Sequence, residues 1–99
     1  MIGPSEKSAR ILSELKAFMA EHVYPNEVAH QEALAGAENR FASMPLVESL
    51  KEKARSAGLW NLFVPPEYAE YSDHGGMSFL DYAPLAEEMG RVIWCPEVF

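Results

Sequence analysis

Residues 5–25 run SEKSARILSELKAFMAEHVYP, and they set the class of fold. Ser5 has the side chain of a helix N-cap, and Glu6 follows where a helix favours negative charge. Ile11, Leu12, Leu15, Phe18, Met19 and Val23 then recur at helical spacing and form one apolar stripe. Pro25 lacks an amide donor, so the helix is expected to end or kink near Tyr24. A strongly amphipathic helix opening the chain, with no alternating run after it, points to an all-α fold.

The rest of the chain fits that class. A weaker helix is expected from Asn26 to about Leu34, with a poor apolar face. Residues 36–43 have loop composition. Pro45 suits a first helical position, Val47, Leu50, Ala54 and Ala57 form the expected buried face, and Gly58 is the stop. Leu59–Val64 is a short apolar run between Gly58 and two prolines, expected to lie extended across the domain. Residues 65–76 form a loop, whose Glu67–His74 part is expected to sit in solvent. Ser78 and Asp81 have the spacing of a capping box, with Met77 and Tyr82 as a hydrophobic staple. Pro84 is expected to kink or divide the helix that follows, and Gly90 to end it.

The length, 99 residues, suits one small domain, and 48% of the residues are hydrophobic. Val92–Phe99 is strongly apolar. An exposed end of Ile93, Trp94, Val98 and Phe99 is expected to drive self-association, so the domain looks incomplete at its C-terminal end. The net charge of -7 argues against nucleic acid and anionic membranes as partners. No apolar run approaches the ~18 residues of a membrane span. The N-terminus carries neither a signal-peptide core nor an Arg-rich presequence, so a bacterial-type cytoplasmic location is expected. Cys95 is the single cysteine, which fits a reducing compartment.

Chemistry is sparse. No Gly-rich phosphate loop is present, and Gly75-Gly76 has the character of a turn. Glu27-x-x-His30 has di-iron spacing, but no second such pair accompanies it, so a solvated surface is expected and no metal site. His22 and His74 are isolated. Of the neighbours Glu87 and Glu88, one is expected in solvent and one in a buried bond or interdomain contact. Trp60, Phe63 and Trp94 are expected as core or interface aromatics, and Cys95 as a small buried thiol. No catalytic residue is found in the chain.

The strings Ala57-Gly58-Leu59-Trp60-Asn61-Leu62-Phe63-Val64-Pro65 and Gly75-Gly76-Met77-Ser78 resemble a helix end, proline and Gly-Gly loop of the acyl-CoA dehydrogenase family. Tyr82–Arg91 is similar to that family's next helix, with its Glu-Glu run. Cys95-Pro96-Glu97-Val98-Phe99, and the stretch from Phe18 to Pro25, resemble one branch of it. The resemblance spans nearly the whole chain in order. It implies that residues 1–99 are the N-terminal helical domain of an FAD-dependent enzyme, a small helical bundle, with the middle β-domain and C-terminal helical bundle lying outside this sequence. Such enzymes oxidise acyl-CoA to trans-2-enoyl-CoA with a glutamate base and flavin. The resemblance places base and FAD contacts in the other domains, so this chain alone is expected neither to bind FAD tightly nor to react. It implies acyl-CoA as substrate, an electron-transfer flavoprotein as partner and a homo-oligomer. Val98 and Phe99 are expected near the acyl tail. The alternatives are a self-standing helical interaction module and the equivalent domain of an acyl-CoA oxidase. Glu67–His74 departs from the family as a longer, more polar link.

Overall fold

The computed structural model describes residues 3–38 and 44–99. The expected loop over 36–43 therefore lies largely outside the described residues, as do Met1 and Ile2 at the N-terminus. Four α-helices appear among the described residues: α1 (Glu6–Phe18), α2 (Glu27–Ala35), α3 (Pro45–Ser56) and α4 (Phe79–Met89). Among the described residues there is no strand, as the all-α reading expects.

Ser5 caps α1, its hydroxyl accepting from the Ser8 amide at 3.2 Å. The stripe is buried as expected, with Ile11, Leu15, Phe18, Met19 and Val23 in the core and Leu12 packed beside them. Pro25 cannot donate to the carbonyl four residues back, and the chain answers by widening rather than breaking. Met19–Val23 forms a π-turn, with the Tyr24 amide reaching Met19, and Tyr24–Asn26 tightens into a 3-10 turn before α2. The Asn26 side-chain amide donates to the His22 carbonyl at 2.5 Å. The helical path is thus almost unbroken from Glu6 to Ala35. Thirty such residues span about 45 Å, which accounts for the molecule's 48 Å long dimension. None of α2 is fully buried.

Helix α3 buries Val47, Leu50 and Ala54, whereas Ala57, expected on the same face, is exposed at the C-cap. Gly58 lies at φ 74°. The Leu59 amide donates to Ala54 at 2.9 Å and the Gly58 amide to Arg55 at 3.2 Å, the Schellman arrangement.

Three other expectations need correction. Leu59–Val64 is not extended: Asn61 turns it at φ 56°. Asn is among the few residues that tolerate the left-handed region, and here the Tyr71 carbonyl accepts from its side chain at 2.7 Å. Of the two outcomes expected at Pro84, a kink or a division, division does not occur, and α4 passes through Pro84 as one helix. Finally, Val98 and Phe99 are not an exposed apolar end. Both are buried in the core, and of the four residues expected at the surface only Ile93 is fully exposed, at 97%. The Phe99 carbonyl accepts from the Asn61 amide at 2.7 Å, and its ring meets Phe18 edge-on at 5.2 Å. The turn at Asn61 is what makes that docking possible.

The capping box at α4 is only half made. Ser78 accepts from the Asp81 amide at 3.2 Å, but the Asp81 carboxylate turns away to accept from the Ser5 amide at 2.7 Å. Ser8 then donates to the Asp81 carbonyl at 2.6 Å. One carboxylate so serves the N-termini of both α1 and α4, where helix dipoles favour it.

Candidate functional site

Among the described residues a half-open groove of about 590 Å³ is lined by Phe63, Pro65, Pro66, Glu67, Met77, Ser78, Phe79 and Tyr82. Its walls come from two segments held side by side. The Met77 amide donates to the Val64 carbonyl at 2.9 Å. Gly76 sits at φ 84°, and a Cβ there would lie 2.6 Å from the Pro65 carbonyl oxygen. Only glycine permits that approach. Ser78 then starts α4 and places Phe79 and Tyr82 three residues apart, on one face. Phe79 is 94% exposed and Phe63 60%. Both rings therefore line the groove with most of their surface open to solvent. At the back, the Tyr82 hydroxyl meets Met89 sulfur at 3.7 Å, and burial raises the ionisation of that phenol above its usual range.

The loop beside the groove is fixed by its backbone. The Lys7 ammonium donates to the carbonyls of His74 and Gly76. His74 Nε2 donates to the Gly58 carbonyl at 2.6 Å, and Asp73 accepts from the Trp60 amide at 2.8 Å. Pro66–Tyr71 winds into 3-10 turns where a loop was expected, and Glu67, Tyr68, Glu70 and Tyr71 keep exposed side chains. Trp60 is half-buried beneath Arg55, whose guanidinium lies 4.2 Å from the ring centre.

The residues weighed for chemistry lie elsewhere and do not converge. Glu27 is exposed, while His30 stacks on Trp94 with centres 4.3 Å apart and planes 4° apart. His30 is therefore packed rather than solvated. No group of three His, Cys, Asp or Glu able to hold a metal occurs among the described residues. His22 leans on Phe18 at 4.7 Å. Glu87 faces solvent, and Glu88 is the buried member of the pair, as expected. Glu88 accepts from the Tyr24 hydroxyl at 3.1 Å and from Arg91 Nε at 3.0 Å. Tyr24 is held above its usual ionisation range by lost hydration first and then by the Glu88 bond. Among the described residues no helix is long and apolar enough to cross a membrane.

Cys95 is buried with its sulfur 3.3 Å from that of Met19. Burial, and secondarily the charge of Glu88, push the thiol up from 9.0 to about 12. Burial that favours the neutral thiol adds stability below pH 9, and this is lost as pH rises from 9 towards 12. At pH 8 a chromogenic disulfide reagent is expected to react only as fast as the chain unfolds, and urea to accelerate it. Immediate reaction in native buffer would contradict this.

Sequence reasoning identified the pieces of the groove but not the groove. Gly76 and the Ser78 cap were visible as local signals. The pairing of 64 with 77, which brings Phe63 to Phe79, has no local signal.

No family model matches the chain, and no solved structure does. Curated proteins do. Acyl-CoA dehydrogenase family member 11 of Gallus gallus is 43% identical over 98 residues, covering 96% of this chain and 12% of that protein. Acyl-CoA dehydrogenase family member 10 of Mus musculus is 39% identical, over 98% of this chain and 9% of its own length. The probable acyl-CoA dehydrogenase FadE2 of Mycobacterium tuberculosis is 38% identical, over 95% of this chain and 21% of its own. The chain is a relative of the acyl-CoA dehydrogenases, matched over nearly all of its own residues and a small part of theirs.

Proposed function

We propose that these residues serve as the N-terminal helical domain of an FAD-dependent acyl-CoA dehydrogenase, which oxidises acyl-CoA to trans-2-enoyl-CoA. The observation that carries this reading is identity of 35–43% to acyl-CoA dehydrogenases along almost the entire chain. The role assigned to this segment is to pack on the enzyme body and present a docking surface, without performing the reaction. The residues lining the groove do not fit FAD. The nucleotide's pyrophosphate calls for backbone amides or cations, whereas the one charged residue lining the groove is Glu67. No step through the flavin is derived from this chain.

In this reading Val98 and Phe99 act from behind the acyl-tail wall. Val98 is buried in the core and Phe99 is held by Phe18 and Asn61, so together they fix the direction of any chain that continues past them. The groove of Phe63, Met77 and Phe79 is the surface offered to a protein partner, for which the family resemblance supplies an electron-transfer flavoprotein. The test is a segment exchange, with this chain replacing the matching segment of FadE2, read by flavin retention and acyl-CoA turnover.

A further inference from the structure

We propose that α2 is a strap that opens and closes while the rest of the fold stays shut, and that the stack of His30 on Trp94 is its latch. The proposal is independent of the groove. Upstream of α2 the chain is pinned. The Tyr24 hydroxyl donates to the buried Glu88 of α4 at 3.1 Å, and Met19 and Val23 in the π-turn before it are fully buried. Beyond Tyr24 the anchoring thins. Pro25 has no amide to donate, and Asn26, at φ -100° and ψ 5°, leaves the helical region before α2 begins. A π-turn followed by a 3-10 turn within a helical path marks a hinge. None of the nine residues of α2 is fully buried. Its substantial neighbour among the described elements is the 3-10 turn Tyr24–Asn26, which immediately precedes it in the chain. A helix in water needs about 12–15 residues to hold its shape unaided, so α2 depends on what its face touches. His30 makes that contact: its ring lies flat on Trp94, with centres 4.3 Å and planes 4° apart. Trp94 in turn packs against the core. A helix with little burial, a hinge at one end and one ring stack as its tie opens far more readily than the fold as a whole. Opening uncovers Trp94.

Hydrogen exchange of the 99-residue chain, followed by NMR, tests this. The amides of residues 31–36 are expected to exchange through an opening that leaves the amides of the fully buried Leu15 and Leu85 protected. His30→Ala removes the latch. Alanine is the better helix former, so loosening of α2 in this variant comes from the lost stack and not from a weaker helix. The amides of 31–36 should exchange about 2- to 10-fold faster, the effect of losing one ring pair, with Leu15 and Leu85 unchanged. His30→Phe keeps a ring on Trp94 and should return exchange in α2 towards the native rate. Protection of 31–36 equal to that of Leu15 in the native chain would mean that α2 opens only with the whole fold, and would overturn the proposal. Unchanged or slower exchange in His30→Ala would overturn it too, as would equal acceleration at Leu15 and Leu85, the signature of general destabilisation. Exchange in His30→Phe as fast as in His30→Ala would show that the ring stack is not the latch.

Discussion

Gly76→Ala is expected to destabilise the chain by about 2–5 kcal/mol and to open the groove. Two costs combine there. A left-handed residue with a Cβ costs roughly 1–2 kcal/mol, and forcing atoms into occupied space costs about 1–3 kcal/mol more. Gly76 has φ 84°, and the added carbon would meet Pro65 O, Pro65 C and Pro66 Cα at 2.6, 2.8 and 2.9 Å. All three are backbone atoms, so no side chain can swing aside. Relief requires the 64–77 pairing to part, which separates Phe63 from Phe79. Gly75→Ala is the matched control. Its φ is 75°, but nothing lies within 4 Å of its Cβ position, so only the conformational cost applies. Urea denaturation of both variants checks this, and equal losses would show that the close approach to Pro65 does not matter.

The second large effect is expected at Leu15→Ala. Leu15 is fully buried and lies on the face of α1 that packs with α4. Truncating a buried leucine costs about 2–5 kcal/mol, since the site collapses only in part. Against the ~5–15 kcal/mol that holds typical domains, much of the native population at elevated temperature would be lost. Val28→Ala, on the exposed face of α2 at 66% exposure, should change stability by less than about 0.5 kcal/mol. Indistinguishable thermal midpoints for the two variants would mean that α1 and α4 do not form the core described.

The features legible in the sequence are those governed by neighbours along the chain. The Ser5 and Ser78 caps, the Gly58 stop and the stripe of α1 all depend on residues within one or two turns, and all appear. Tertiary partners decided the rest. Asp81 had the spacing to bond its own helix, yet it serves Ser5 from across the fold. Leu59–Val64 carried an apolar pattern compatible with an extended run, but Asn61 turns it and gives its amide to Phe99. That same contact buries the end expected to be exposed. Pro25 was read as ending or kinking the helix near Tyr24, and there the wide turn ends at Val23 and gives way to a 3-10 turn. Glu87 and Glu88 divided between solvent and interior as expected of adjacent helix positions, but Tyr24 as the buried partner was not visible from spacing. The groove belongs with these non-local features, because its two walls are joined by the bond from Met77 to Val64 and the close approach of Gly76 to Pro65.

The most direct measurement is the flavin content of FadE2 carrying this chain in place of its matching segment, together with its acyl-CoA turnover. A segment that packs on the enzyme body should yield an exchange enzyme that retains flavin near stoichiometrically and desaturates acyl-CoA, while FadE2 lacking the segment does neither. An exchange enzyme no better than the deletion, with the chain itself folded, would contradict the assignment of these residues to an acyl-CoA dehydrogenase.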